Sequence, residues 1–130
     1  MGSEMCIRDR GKAIEHHQGE ILSMDYSERL NLLATCGDDW LIKLWDTRSL
    51  ELTGTLKSHR NSVNSVKFGG NSGNLCSVSS DRTLKQWDIG QRGLMETFYG
   101  HNEEVLDLDN INGTDFLSSG NDRQVVLWKT

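Results

Sequence analysis

Histidine, serine or threonine, aspartate and tryptophan recur together three times in this chain, in the same order and at nearly the same spacing. A serine hydroxyl, a histidine base and a carboxylate that orients the histidine are the groups that a hydrolase uses for nucleophilic catalysis. The histidines are 42 residues apart, and the tryptophans are 42 and then 41 residues apart. The three sets are His17, Thr35, Asp39 and Trp45; His59, Ser77, Asp81 and Trp87; and His101, Ser118, Asp122 and Trp128.

The repetition of these sets favours a structural role over a catalytic one. One enzyme rarely needs three identical triads, and every set here also contains a tryptophan. A buried hydrogen-bond relay accounts for all four residue types, with the indole N–H donating to the hydroxyl, the hydroxyl to histidine, and histidine to aspartate. We therefore expect three structural tetrads and no catalytic residue.

The segments that carry these residues are typical of short β-strands. Each repeat contains four stretches of alternating or nearly continuous apolar residues, bounded by Gly, Asn, Asp and Ser, and no stretch favours a helix. The chain has 13 glycines and no proline, which suits short strands and tight turns. The recurring apolar positions are Ile21, Val63 and Val105; Met24, Val66 and Leu108; Leu33, Leu75 and Leu117 or their neighbours; Ile42, Leu84 and Val125; and Ile14, Leu56 and Phe98.

The ends of the repeats carry a family resemblance. A period in the low forties that ends in Trp-Asp is the signature of one β-propeller blade. The first two copies end in Trp45-Asp46 and Trp87-Asp88, the third ends in Trp128-Lys129, and Gly100-His101 supplies the Gly-His half of the signature. Residues 11 to 130 thus resemble WD40 repeats, divided as 11–46, 47–88 and 89–130.

This resemblance implies an all-β fold, a partial WD40 β-propeller with about three blades of a ring of about seven. In WD40 proteins the outer strand belongs to the blade just finished. We therefore expect an orphan outer strand around residues 11 to 15, two complete blades, and a third blade that stops after Trp128. The chain is interpreted as a fragment of a larger propeller. Residues 1–10 fit no repeat and lack the apolar segment of a signal peptide, so we interpret them as a non-native or disordered leader.

Composition excludes several classes of protein. The formal net charge of −5 disfavours a strongly basic nucleic-acid surface. Cys6, Cys36 and Cys76 have no metal-ligand spacing and are expected to be buried reduced thiols, which favours the cytosol or nucleus.

The segment 69–73 is Gly-rich but lacks a phosphate-binding pattern, so it predicts a hairpin loop. His16 and His17 could suggest a metal-binding pair, but adjacent residues of a strand face opposite sides, so we interpret His16 as an exposed neighbour of the tetrad histidine. We expect no metal, cofactor, small-molecule substrate or membrane span.

The loops on one rim of a propeller carry the residue after each tetrad histidine and the turn after each tetrad aspartate. Trp40 stands out there, because an indole in a turn has no obvious blade core to fill and aromatics with arginine are enriched in binding hot spots. The alternative is that Trp40 covers a neighbouring blade. The candidate binding face, hereafter the candidate rim, comprises Trp40, Lys57, Arg60, Arg82, Asn102, Glu103 and Arg123.

Three segments carry a closer resemblance, namely residues 81–87, 95–105 and 126–129. They resemble the WD-repeat subunits of the U-three small nucleolar ribonucleoprotein, in which a Ser-x-Asp-Arg-x-x-Lys-x-Trp strand precedes a Glu-Thr-Leu-Phe-Gly-His turn and the next blade ends in Trp-Lys. Phe98-Tyr99 replaces the family's Leu-Phe. The resemblance implies a non-enzymatic scaffold in the nucleus and nucleolus that acts in small-subunit pre-ribosomal RNA processing. Its partners would be other proteins of the assembly and small nucleolar RNA.

A second class of function stays open, because one fold hosts many functions. The chain is also compatible with a general WD40 protein-interaction adaptor, such as a substrate receptor of a ubiquitin ligase or a signalling scaffold. Such an adaptor would act in the cytoplasm.

Overall fold

The structure, a computed structural model, describes residues 5–8, 11–14, 19–69, 73–111 and 115–129. Within these ranges all regular secondary structure is β-strand. The strands are β1 (Met5–Arg8), β2 (Gly11–Ile14), β3 (Ile21–Ser27), β4 (Leu32–Gly37), β5 (Leu41–Asp46), β6 (Leu52–Lys57), β7 (Val63–Phe68), β8 (Asn74–Ser79), β9 (Thr83–Asp88), β10 (Gly93–Tyr99), β11 (Val105–Ile111), β12 (Asp115–Gly120) and β13 (Val125–Trp128).

Most strands form three antiparallel sheets that follow chain order. The sheets are β3-β4-β5-β6, β7-β8-β9-β10 and β11-β12-β13, called here blades 1, 2 and 3. Among the described residues blade 3 has three strands and the other blades have four. The first strand of blade 2, β7, contacts the first strands of blades 1 and 3, β3 and β11. These three inner strands therefore lie side by side.

The beginning of the chain forms a separate pair of strands. Strand β2 covers most of the expected orphan strand, but it pairs with β1, from Met5 opposite Ile14 to Arg8 opposite Gly11. Part of the segment interpreted as a leader therefore has strand backbone. The physical reason is that a lone strand leaves its N–H and C=O groups unpaired, and the segment just before it in the chain can supply the missing partners.

The turn between the second and third strands has the same geometry in every blade. Trp40, Arg82 and Arg123 follow the three aspartates and adopt positive φ angles of 70°, 74° and 65°. The N–H of each donates to a carbonyl three residues earlier, at 3.2 Å for Arg82 to Ser79. A tight turn followed by a left-handed residue is a common three-residue hairpin loop. These turns fix the backbone at three members of the candidate rim.

The Trp-Asp ending of a repeat also has a local structural cause. The side chain of Asp46 accepts hydrogen bonds from the N–H groups of Arg48 and Ser49, at 2.8 and 3.3 Å. These hydrogen bonds lower the pKa of Asp46. Asp88 accepts in the same way from the N–H of Gln91 at 3.3 Å. The aspartate therefore closes the turn that leads to the outer strand.

The hydrophobic core lies between successive blades. One cluster joins blades 1 and 2, and a second joins blades 2 and 3. The first includes Ala34, Cys36, Ile42 and Leu44 with Val63, Val66, Phe68 and Leu75, and the second includes Cys76, Val78 and Leu84 with Val105, Leu108 and Phe116. Because the same repeat positions form both interfaces, each blade has one face for the blade before it and one for the blade after it.

The outward faces of blades 1 and 3 depart from the expected pattern of recurring core positions. Met24 is 65% exposed, whereas its equivalent Val66 is fully buried. Val125 is 69% exposed, whereas its equivalent Leu84 is fully buried. The difference arises because burial of Met24 and Val125 would require a neighbouring blade. In blade 3 the buried second-strand residue is Phe116 rather than Leu117, because the tetrad serine follows its histidine by 17 residues in this repeat and by 18 in blade 2.

Two of the three cysteines lie in described side-chain regions and are buried free thiols. Burial raises the pKa of the Cys36 thiol to about 12, and the nearby Asp39 charge also raises it, while the hydrogen bond to the carbonyl of Ser23 lowers it. Burial likewise raises the pKa of Cys76. Neither thiol is poised to ionise. The side chain of Cys6 and residues 70–72 of the expected hairpin loop lie outside the described part of the chain.

Hydrogen-bonded tetrads and the candidate binding rim

The four repeated residues of blade 2 form a continuous hydrogen-bonded chain. The indole Nε1–H of Trp87 donates to Oγ of Ser77 at 2.9 Å. Ser77 Oγ lies 2.6 Å from Nε2 of His59, and Nδ1 of His59 lies 2.9 Å from Oδ2 of Asp81. The sequence predicts this set, and strand pairing brings it together, because Ser77 on β8 and Trp87 on β9 occupy neighbouring strands.

Electrostatics fix the direction of the relay. Burial lowers the pKa of His59, although the hydrogen bond and charge of Asp81 oppose this effect. Burial alone would raise the pKa of Asp81, but hydrogen bonds from His59, Thr83 and the N–H of Arg60 outweigh it and lower that pKa. At neutral pH the pair is thus a neutral imidazole and a carboxylate. The imidazole carries its proton on Nδ1, so Ser77 donates to Nε2.

Blade 3 repeats the arrangement. Trp128 donates to Ser118 at 2.7 Å, Ser118 lies 2.7 Å from Nε2 of His101, and Nδ1 of His101 lies 3.0 Å from Asp122. Burial would raise the pKa of Asp122, but hydrogen bonds from the N–H groups of Asn102 and Gln124 and from His101 lower it. The third repeat therefore keeps the relay although its Trp-Asp ending is replaced.

Gly100 is required by the packing of this third relay. A Cβ atom built on Gly100 would lie 2.5 Å from the indole ring of Trp128. The same ring packs against Phe98 at the end of blade 2, with ring centroids 5.2 Å apart. Glycine before the tetrad histidine thus lets the chain pass over the tryptophan.

The described part of the blade 1 set is similar. Trp45 donates to Oγ1 of Thr35 at 3.0 Å, and the carboxylate of Asp39 accepts from the N–H of Leu41 at 3.2 Å. His17 and its neighbour His16 lie outside the described residues. The contacts of the first tetrad histidine therefore stay a prediction.

Each complete tetrad joins two loops through its aspartate. One carboxylate oxygen of Asp81 accepts from the N–H of Thr83 at 3.0 Å, and the other accepts from the N–H of Arg60 at 3.0 Å. Asp122 bonds the N–H groups of Gln124 and Asn102 at 3.1 and 2.9 Å. In blades 2 and 3 the aspartate of the buried relay thus fixes both the loop before the inner strand and the turn between the second and third strands.

The same geometry does not suit a serine nucleophile. Ser77 is fully buried and Ser118 is 1% exposed. Each hydroxyl already accepts an indole N–H and contacts histidine, so its oxygen has no open approach for a substrate carbonyl. A nucleophilic serine must present its oxygen to the substrate. The arrangement can stabilise a blade, and we assign no reaction to it. The described side chains include no cluster of His, Cys, Asp or Glu that would hold a metal ion.

All members of the candidate rim lie on the surface. Trp40 is 51% exposed within the described chain. The remaining members, also exposed, are Lys57, Arg60, Arg82, Asn102, Glu103 and Arg123. Register places Lys57 opposite Leu41, next to Trp40 in the chain.

One cleft on this rim includes residues that the sequence did not single out. Its volume is about 430 Å³, and it is lined by Ser58, Arg60, Asp81, Thr83, Lys85 and Tyr99. The register of β9 and β10 places Tyr99 opposite Thr83, and Tyr99 is 79% exposed. The sequence signals for this site are Arg60 of the candidate rim and the tyrosine that replaces the phenylalanine of the resembling family.

A family model settles the class of this repeat. The model described as "WD domain, G-beta repeat" matches residues 9–46, 50–88 and 92–129. The chain belongs to the WD40 repeat family. Its three sheets are blades of a partial WD40 propeller, and proteins of this family are generally non-catalytic scaffolds.

Individual WD40 relatives carry different names. The chain is 41% identical over 100 residues to the nuclear distribution protein PAC1 of Candida tropicalis, covering 75% of this chain and 20% of that protein. It is 34% identical over 113 residues to a U3 snoRNP-associated protein-like relative of Arabidopsis thaliana, covering 87% of this chain and 24% of the relative. The chain thus spans about a quarter or less of these two curated relatives.

A solved structure shares the fold closely. The structure of U3-55K superposes with a TM-score of 0.84 at 29% identity, covering 88% of this chain and 36% of that one. This likeness confirms the blade arrangement and the predicted WD40 fold. No described residue belongs to a helix that is long and apolar enough to cross a membrane.

Proposed function

We propose that this chain is part of a non-catalytic WD40 scaffold in a small nucleolar ribonucleoprotein that acts in small-subunit pre-ribosomal RNA processing. The observation that carries the proposal is the similarity to U3-55K over 88% of the chain. The Arabidopsis relative described as U3 snoRNP-associated supports it. So does the Trp128-Lys129 ending, which the resemblance to that group of proteins implies.

In this proposal the tetrads are structural and the rim binds partners. The relays fix the loops at Arg60 and Asn102 through backbone hydrogen bonds to Asp81 and Asp122. A fixed loop loses little conformational entropy when it binds, so its exposed side chains form a pre-organised surface. Trp40 is the side chain from which we expect the largest contribution, because indoles are enriched among binding hot spots. The proposed location is the nucleolus.

The test is affinity purification of the tagged full-length protein from its own cells, followed by sequencing of bound RNA and identification of bound proteins. We expect enrichment of a box-containing small nucleolar RNA over a tag-only control. Trp40→Asn should reduce the recovery of partner proteins without unfolding, because asparagine tolerates positive φ. Arg48→Asn, in a turn outside the candidate rim, is the matched control. Absence of small nucleolar RNA from the wild-type sample would refute the proposal.

A second candidate is a protein-interaction adaptor outside any RNA particle. The 41% identity to the nuclear distribution protein PAC1 favours it. The same purification separates the two, because an adaptor should recover a defined set of proteins, such as ubiquitin-ligase subunits, and no small nucleolar RNA.

A further inference from the structure

Blades 1 and 2 are joined by a hydrogen bond between their inner strands as well as by apolar packing. Oδ2 of Asp25 in blade 1 accepts the N–H of Phe68 in blade 2 at 2.8 Å. Ile42 and Leu44 of blade 1 and Val66 of blade 2 belong to the same buried cluster as Phe68. The face of blade 1 thus contributes an acceptor and apolar side chains, and the face of blade 2 contributes an N–H group and apolar side chains.

The open face of blade 3 repeats the contribution of blade 1. The counterparts of Asp25, Ile42 and Leu44 in the third repeat are Asp109, Val125 and Leu127. All three are exposed. One carboxylate oxygen of Asp109 accepts the N–H of its neighbour Asn110 at 2.9 Å, and the other accepts no hydrogen bond from the residues that the structure describes. Blade 3 therefore presents an acceptor beside apolar side chains.

A cavity of about 230 Å³ opens on the same face. Its lining includes Asp109, Leu117, Ser119 and Val125. The counterparts of the last three in blade 1 are Ala34, Cys36 and Ile42, which all belong to the buried cluster between blades 1 and 2. The cavity thus lies where the side chains of a following sheet would pack.

The outward face of blade 1 repeats the contribution of blade 2. The counterparts of Val63, Val66 and Phe68 in the first repeat are Ile21, Met24 and Tyr26. Each of these three is half or more exposed. Tyr26 pairs with Leu33 in the same register in which Phe68 pairs with Leu75, so its N–H points to the open side as that of Phe68 points to blade 1. This face therefore presents an N–H group beside apolar side chains.

The interface between blades 2 and 3 uses a different polar contact. Nδ2 of Asn64 in blade 2 donates to the carbonyl oxygen of Val105 in blade 3 at 2.7 Å. Blade 2 has Lys67 at the position of the carboxylate, and blade 3 has Leu106 at the position of Asn64 and Asp109 at that of Lys67. The open face of blade 3 is thus equivalent to the face of blade 1 that accepts an N–H group.

We infer that the open face of blade 3 in one copy of this chain binds the outward face of blade 1 in a second copy. The carboxylate of Asp109 accepts the N–H of Tyr26, and the tyrosine side chain enters the cavity beside Val125. The two surfaces differ, so successive copies close into a ring or extend as a filament. The inference goes beyond the proposed scaffold function and does not depend on it.

The test uses the 130-residue chain and two variants that each block one face. Ile21→Glu with Met24→Glu blocks the outward face of blade 1, and Val125→Glu with Leu127→Glu blocks the open face of blade 3. We expect the wild type to form assemblies, each variant alone to be monomeric, and an equimolar mixture of the variants to form a dimer. The mixture pairs because it contains one intact face of each kind. Sedimentation velocity measures the masses.

Two results of this experiment would overturn the inference. A monomeric mixture would leave the two faces to another occupant, such as further blades of a longer chain. A variant that assembles alone as the wild type does would show that its blocked face is not required. Leu94→Glu with Met95→Glu, at exposed apolar residues of β10 outside both faces, is the matched control and should assemble as the wild type does. Thermal unfolding checks that every variant is folded.

The acceptor is tested in the variant that keeps the open face of blade 3. Asp109→Ala in that variant should weaken the mixed dimer about tenfold, because the buried N–H of Tyr26 loses a charged partner. Asp109→Asn keeps an acceptor oxygen and should weaken the dimer less. Unchanged dimer affinity in both would refute the inferred contact. The samples contain no RNA, so failure of this assembly leaves the ribonucleoprotein proposal intact, and absence of small nucleolar RNA from the purification leaves the assembly intact.

Discussion

His59 and Asp81 are 22 residues apart in the chain, yet Nδ1 of the histidine lies 2.9 Å from Oδ2 of the aspartate. The same carboxylate oxygen accepts the N–H of Arg60 at 3.0 Å. One side chain thus holds the loop before the inner strand of blade 2 against the turn between its second and third strands. The stability of the blade and the shape of its rim depend on the same contact.

The first prediction concerns this carboxylate. Asp81→Ala should lower the free energy of unfolding by about 1 to 3 kcal/mol, because it leaves the buried Nδ1–H of His59 and the N–H of Arg60 without an acceptor. Chemical denaturation of the full-length protein measures the change. Glu96→Ala, an exposed carboxylate on β10, is the control and should have little effect. An unchanged midpoint for Asp81→Ala would contradict the tetrad assignment.

The hydroxyl of the relay is tested by two substitutions at one position. Ser77→Ala should cost about 1 to 3 kcal/mol, because Trp87 and Nε2 of His59 both lose a buried partner. Ser77→Thr keeps the hydroxyl and should cost less, since Thr35 accepts the indole N–H of Trp45 at the equivalent position of blade 1. Equal losses for the two variants would show that packing, rather than the hydrogen bonds, determines stability here.

Stability should fall as the pH decreases. The folded protein lowers the pKa of His59, so below about pH 6.5 the unfolded chain binds a proton that the folded chain resists, and the free energy of unfolding decreases. The pKa of Asp81 is also lowered in the fold, which adds a second decrease as the pH falls below about 3.9. Denaturation at a series of pH values measures both. His59→Gln should remove the upper decrease, and an identical profile in the variant would refute its origin.

Replacement of the left-handed turn residue Arg82 by glycine should raise the free energy of unfolding, whereas the substitutions above lower it. Arg82 has a φ of 74°, a conformation that costs an L-residue about 1 kcal/mol and glycine nearly nothing. Arg82→Gly should therefore raise the free energy of unfolding by up to about 1 kcal/mol, and Arg82→Val should lower it. Arg48→Gly, in an exposed turn at a residue that does not have positive φ, should be destabilising. Thermal unfolding of the three variants distinguishes these outcomes.

The open face of blade 3 should cause self-association of the 130-residue chain. Val125 and Leu127 are exposed there, whereas their blade 1 equivalents Ile42 and Leu44 are fully buried against blade 2. Exposed apolar patches of this kind promote association. Replacing both residues by lysine should lower the apparent mass in light scattering, while Leu94→Lys on the outer strand of blade 2 should not. A monodisperse wild-type monomer would contradict the prediction.

The sequence by itself determined the repeated part of the molecule. Ser77 and Trp87 recur as Ser118 and Trp128 at the same positions of the repeat. A single hydrogen-bonding scheme therefore had to satisfy every copy. Strand order followed for the same reason, because each repeat supplies the same apolar segments separated by turn residues. Periodicity carries this information because equivalent positions in a repeat protein meet equivalent neighbours.

Only the tertiary structure decided which distant residues lie together and which repeat positions are covered. Lys85 and Tyr99 share a cleft with Arg60 because the pairing of β9 with β10 and the loop fixed by Asp81 bring three separate segments together. Burial differs between Met24 and Val66, which occupy the same repeat position, because only Val66 has a blade packed against it. A residue's type and phase specify which way it can face, but the charge, exposure and neighbours that give it a role depend on chain segments that are distant in sequence.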